Sequence, residues 1–183
     1  MNDLALRQRP IRVTEHVFLR MMDELERRSM HEREAGAFLL AAPESQTVTA
    51  VAYYDDLDPG SLTGGITFHA IGYSRLNQLC RERALRVVAD IHLHPGERTS
   101  QSSVDAAHPM VGRSGHLALI APGYGAGVTQ LEQLGAHLKT SAGWQSFSGT
   151  DVRRVLDITW SLRGRARLFS LWAMKWKQRG SRR

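Results

Sequence analysis

Cysteine is almost absent from this 183-residue chain, with Cys80 the single example. That scarcity excludes an internal disulfide and any thiolate cluster for a metal, and it points to a reducing, cytoplasmic setting. Cys80 itself sits in SRLNQLCRERAL, a pattern that reads as a thiol on the core side of a helix rather than as a nucleophile. No apolar run approaches the roughly 20 residues that span a bilayer. The opening MNDLALRQRP contains no apolar stretch of the kind a secretory signal carries. Internal repeats and low-complexity segments are missing too.

Acidic residues are missing from one end only. No Asp or Glu follows Asp157, and eight of the 24 Lys and Arg lie between Arg163 and Arg183. Residues 1–162 therefore hold 16 bases against 18 acids, so the net charge of +6 describes a mildly acidic body with a strongly basic tail. This distribution argues against a nucleic-acid-binding domain and places any anionic partner at the tail. Hydrophobic residues at 42% supply an ordinary core. The length favours one domain over residues 1–160 plus an extension over 161–183. The extension reads as a helix with Leu162, Ala166, Phe169, Ala173 and Trp176 on one face and Arg163, Arg167, Lys175, Lys177 and Arg179 around it. Such a helix covers an apolar surface of its own domain, docks on an acidic partner or lies on an anionic membrane.

Periodicity places helices and strands in alternation. Ile11–Val13 reads as a short strand. Thr14 caps a helix that runs to about Arg28 with Met21, Met22 and Leu25 inward. Glu34–Ala41 is a buried strand, and Thr47–Tyr54 alternates as another. Asp55–Gly65 is a turn-rich loop, Ile66–His69 a further strand, Ser74–Val87 a helix and Val87–Leu93 a strand. Ser102 begins a helical turn, His116–Ala121 is a strand and Pro122–Gly127 a tight turn. Beyond Val128 the pattern weakens, with Val152–Thr159 as a closing strand. The expected class is mixed α/β (α+β), a central mixed sheet with helices on its faces.

The chemistry concentrates in His92-Leu93-His94-Pro95 and Ser102-Ser103-Val104-Asp105. Histidines at i and i+2 of a strand point to one face. Asp105 follows His94 by eleven residues, across a loop rich in small polar residues that can fold it back as a third ligand. Two imidazoles and a carboxylate leave the fourth position of tetrahedral Zn²⁺ open to water, the signature of a catalytic rather than a structural site. Ser102 also forms a capping box with Asp105, and its hydroxyl can donate to an oxyanion. A general base is still required, and Glu32 and Glu34 both precede the buried strand. His69, His108 and His116 are further candidates near the site, His108 as a group just outside the ligands. His16, His31 and His137 fall in no pattern.

These residues resemble the JAMM (JAB/MPN-plus) metalloproteases, whose motif is a Glu on an early strand, then HxHP, six residues and SxxD. Every element is present at that spacing, with Gly96–Gln101 as the six-residue spacer. The strand EAGAFLLA is similar to the family's E-x-G/C-G-x-L-x-G and selects Glu34 over Glu32, although Ala37 and Ala41 replace usual glycines. Over roughly residues 10–160 the resemblance implies a JAB/MPN, cytidine-deaminase-like fold. It also implies Zn²⁺ on His92, His94 and Asp105, with Glu34 moving protons and Ser102 steadying the oxyanion. It implies a ubiquitin-like protein or its conjugates as substrate. The compact length is most similar to the bacterial branch, whose members accompany E1-like and E2-like proteins in conjugation or antiviral systems. The competing expectations are a non-catalytic MPN scaffold, a RadC-like DNA-associated protein and a sulfur-carrier enzyme with the same chemistry and a different leaving group.

Overall fold

The computed structural model describes residues 9–63 and 65–159. Strand β1 (Ile11–Thr14) leads directly into helix α1 (Glu15–Ser29), because the Thr14 hydroxyl accepts the Val17 amide at 3.3 Å. Phe18, Met21, Met22 and Leu25 recur at helical spacing and are buried. The helix stops at Met30, which turns left-handed.

A six-stranded sheet forms the centre: β2 (Gly36–Ala41), β3 (Ala50–Tyr53), β4 (Arg86–Leu93), β5 (Leu117–Ala121), β6 (Gly135–Thr140) and β7 (Gly143–Phe147). The spatial order is β3-β2-β4-β5-β6-β7. β4 and β5 run parallel, and the other neighbours run antiparallel. β2 and β5 are buried along their whole length, which explains their unbroken apolar sequences. β8 (Leu156–Thr159) pairs in parallel with β1, outside this sheet.

Helices occupy both faces. α1 covers the side to which Leu93 points, for Met22 and Leu93 side chains both close on Gly125. On the other side lie α2 (Tyr54–Leu57), α3 (Ala70–Arg83) and α4 (Ser103–Ala107). There Phe38, Tyr54, Phe68 and Tyr73 stack ring to ring, with centroids 4.8–5.4 Å apart. The buried Arg28 of α1 ties the layers at one edge. It pairs with Glu24, Asp55 and Asp56 and lies 4.1 Å over the Tyr53 ring.

Three sequence expectations need correction. Ile66–His69 forms no strand: Phe68 turns inward to the aromatic cluster, leaving only an isolated bridge between Leu62 and Ile66. The loop after Tyr54 begins with the helical turn α2. Within Val152–Thr159 only Leu156–Thr159 is a strand, and it completes the small sheet rather than the large one. Cys80 is half-buried on α3 against the core, and burial raises its thiol pKa, in accord with a packing role. The extension over 161–183 lies outside the described residues. Among the described residues no helix is long and apolar enough to cross a membrane.

Phe38 is fully buried at the centre of the ring cluster. Phe38→Ala should therefore cost about 3–5 kcal/mol in urea unfolding. Asp58 holds the entry to α3: it accepts the His69 amide at 2.9 Å, the His69 Nδ1–H at 2.7 Å and the Gly60 amide at 3.2 Å, and these bonds lower its pKa. A carboxyl whose folded pKa is depressed stabilises fully above its unfolded value and loses that contribution as the pH falls through the folded one. The unfolding free-energy gap between wild type and Asp58→Asn should thus be complete above about pH 5 and shrink steadily below it.

Candidate metal centre

The sheet register builds the site in rows. Gly36 of β2 lies opposite His92 of β4, which pairs with Ile120 of β5, which pairs with Gly135 of β6. One row back stand Phe38, Asp90, Ala118, His137 and Ser146. Continuing the β2–β4 register places Glu34 opposite His94, and the Leu93 amide donating to the Ala35 carbonyl at 2.9 Å carries the pairing that far. Opposed residues of an antiparallel pair share a face. Glu34 and both histidines therefore converge from two neighbouring strands.

The imidazoles meet at their Nε2 atoms, 3.2 Å apart. Asp105 closes the triangle, with Oδ2 at 3.4 Å from His94 Nε2 and Oδ1 at 3.7 Å from His92 Nε2. Ligands at about 2.0–2.1 Å from a tetrahedral Zn²⁺ stand roughly 3.3–3.4 Å from one another. The His92–His94 and His94–Asp105 separations lie close to that spacing, His92 stands slightly farther from the other carboxylate oxygen, and nitrogen and carboxylate donors suit the ion, so the residues fit a single zinc. The His94 Nδ1–H donates to the Arg98 carbonyl at 2.9 Å, which turns the Nε2 lone pair toward the other two ligands.

Asp105 is aimed by its own helix. It sits at the third position of α4, where its amide donates to Ser102 Oγ at 3.1 Å while its Oδ2 accepts the Ser102 amide at 2.8 Å. This is the capping box anticipated from Ser-x-x-Asp. Burial pushes the Asp105 carboxyl up, but bonds from His94 and Ser102 outweigh it and hold the group well below the ordinary carboxylate range. Burial lowers the pKa of His92, whereas the Asp105 carboxylate raises that of His94. Glu34 is half-buried, and burial raises its pKa. His94 opposes that shift and the Asp105 charge adds to it. A carboxylate in that setting holds a proton more readily than one in water, as a proton shuttle must.

The other histidines separate cleanly. His69 belongs to Asp58 and His116 to the buried Asp90, whose second oxygen accepts the Tyr54 hydroxyl at 3.0 Å. His108 ends α4 with an exposed side chain and is not among the grouped ligands. His137, which no sequence pattern singled out, is buried beside the site. Its Nε2–H donates to the Thr99 carbonyl and its Nδ1 accepts the Ser146 hydroxyl, each at 2.9 Å. The β5–β6 pairing, with His137 opposite Ala118, brings it there, and a weakly alternating segment gave no signal for that.

No family model matches the sequence. Among solved structures, protein DSY2949 from Desulfitobacterium hafniense superposes with a TM-score of 0.55 at 14% identity, over 83% of this chain and 94% of that chain, so the two share a fold. AF2198, a JAB1/MPN domain protein from Archaeoglobus fulgidus, aligns with a TM-score of 0.47 at 11% identity, over 82% of this chain and 100% of that chain. Fold and site together define a mixed α+β protein with a His-His-carboxylate group suited to one metal ion.

Because the Ser102 cap aims the carboxylate, Ser102→Ala should weaken binding of an added divalent metal about tenfold and lower stability by about 1 kcal/mol. Ser102→Thr, which keeps the hydroxyl, should retain most of both. Chelator competition and urea unfolding of the three proteins check this.

Proposed function

We infer that the protein is a zinc-dependent peptidase of the JAMM type, in a JAB/MPN domain, that cuts the amide or isopeptide bond following the C-terminal tail of a ubiquitin-like protein. The observation that carries this reading is the ligand triangle of His92, His94 and Asp105 with the half-buried Glu34 opposite His94. The motif spacing, highly specific for that family, agrees with it.

Zn²⁺ held by His92, His94 and Asp105 would bring the pKa of water down to about 7 and polarise the scissile carbonyl. Glu34 takes the proton of the attacking water, which its raised pKa favours, and delivers it to the departing amine. Ser102 Oγ accepts the Asp105 amide, so its own hydrogen stays available to donate to the oxyanion formed on attack. His94 is held in the required tautomer by the Arg98 carbonyl. A tail ending in small residues, laid extended along a strand edge, would bring its scissile carbonyl to these groups. The partners that accompany such a reaction are the ubiquitin-like protein and its E1-like and E2-like conjugating proteins.

Purified wild type should carry about one zinc per chain and cleave a ubiquitin-like fusion. Glu34→Ala should keep the metal and lose cleavage by a factor of at least about 10². The double variant His92→Ala/His94→Ala should lose both. Zinc without cleavage would reject the substrate class, and absence of zinc after supplementation would leave a non-catalytic scaffold. Tight DNA binding with a steep salt dependence would favour the RadC-like alternative.

A further inference from the structure

The third ligand rests on a helix that has no core of its own. α4 is five residues long and none of them is buried. The preceding segment Pro95–Arg98 is exposed as well. Hydrophobic burial, which holds most short helices in place, therefore cannot set the position of Asp105. The capping box fixes Asp105 relative to Ser102, but it moves with α4 and leaves the helix free to shift against the two histidines.

The ties that remain are polar and specific, and most come from β6 and β7. His137 Nε2–H donates to the Thr99 carbonyl at 2.9 Å. Trp144 Nε1–H donates to the Ala106 carbonyl at 3.2 Å, next to Asp105. Gly135 lets the loop lie flat on the sheet, since a Cβ there would stand 2.0 Å from the Thr99 carbonyl oxygen. His137 is itself oriented, because the Ser146 hydroxyl occupies Nδ1 at 2.9 Å and leaves the hydrogen on Nε2. Trp144 is steadied by Lys139, whose ammonium lies 4.9 Å over the ring. One contact grips the loop before α4 and another grips α4 itself, and both originate on the same hairpin.

We propose that the β6–β7 hairpin is the clamp that sets the geometry of the metal centre, with His137 and Trp144 as positioning residues for Asp105. The proposal rests on the metal reading above. It implies that the affinity and coordination symmetry of the site are governed from a hairpin that contributes no ligand. Groups that orient ligands in this way typically govern about 10- to 100-fold in metal affinity.

The test uses the full chain with zinc affinity read by chelator competition, and with the visible spectrum of the Co²⁺-substituted protein as a report on coordination symmetry. His137→Ala and Gly135→Ala should each lower zinc affinity by about 10- to 100-fold and alter the Co²⁺ bands. His137→Gln, whose amide can donate to Thr99, should recover much of the loss. Trp144→Phe keeps an aromatic side chain there and removes the indole donor to Ala106, so it carries the test if His137→Ala does not fold. Leu25→Ala, buried on α1 across the sheet, should lower the melting temperature and leave zinc affinity unchanged. Wild-type affinity and spectrum in the hairpin variants would overturn the clamp alone. So would an equal affinity loss in Leu25→Ala, which would reduce the effect to general destabilisation. A wild type that binds no zinc would overturn the metal reading and the clamp together.

Discussion

The reciprocal hydrogen bonding of Ser102 and Asp105 is the constraint on which the site depends. One carboxylate satisfies an orphan amide at the start of α4 and still turns toward His92 and His94. The two tasks reinforce each other. Together with the bond from His94, the bonds that cap the helix hold the carboxyl pKa well below the ordinary range, and an ionised carboxylate is the form that ligates a cation. A protonated Asp105 would lose the charge that suits a cation and weaken the cap at once.

The histidines are held by a different physical means. β4 lies between β2 and β5, both fully buried, so its backbone has no freedom to follow a side chain. Rigid strands make precise sites. The row through His92 ends in glycine on both sides, and each glycine makes room for something that approaches closely. The Tyr54 ring lies over Gly36, and the Thr99 backbone lies over Gly135. The sheet thus offers two flat places in the row of His92, one next to it and filled by an aromatic ring, the other beyond Ile120 and covered by the loop that returns Asp105.

Behind the ligands, the face of the sheet carries a buried polar group that is fully engaged. Asp90 accepts the Tyr54 hydroxyl with one oxygen and faces His116 with the other. A buried carboxylate without partners would cost far more than the surrounding ring cluster could offset. With two partners it links α2, β4 and the residue leading into β5, and fixes the Tyr54 ring where Gly36 admits it. Asp90 also lies two residues before His92 on the same face, and its charge favours a positive His92 against the effect of burial.

Elements with a strong local period were legible in the sequence. α1 with its Thr14 cap, α3, β2, β4 and β5 all stand within a few residues of their expected places. The β6–β7 hairpin was not legible, because His137, Lys139 and Ser146 interrupt its apolar pattern and are explained only by the loop and the Trp144 ring they meet. Likewise β8 finds its partner in β1, at the far end of the described chain, and no local period encodes that choice. The sequence by itself determined the identity and spacing of His92, His94, Ser102 and Asp105 and put both histidines on one face, because strand alternation and helix capping act over a few residues. Only the tertiary structure decided that Glu34 stands opposite His94 and that His137 lies beneath the returning loop, because those meetings join residues far apart in the chain through the register of the sheet.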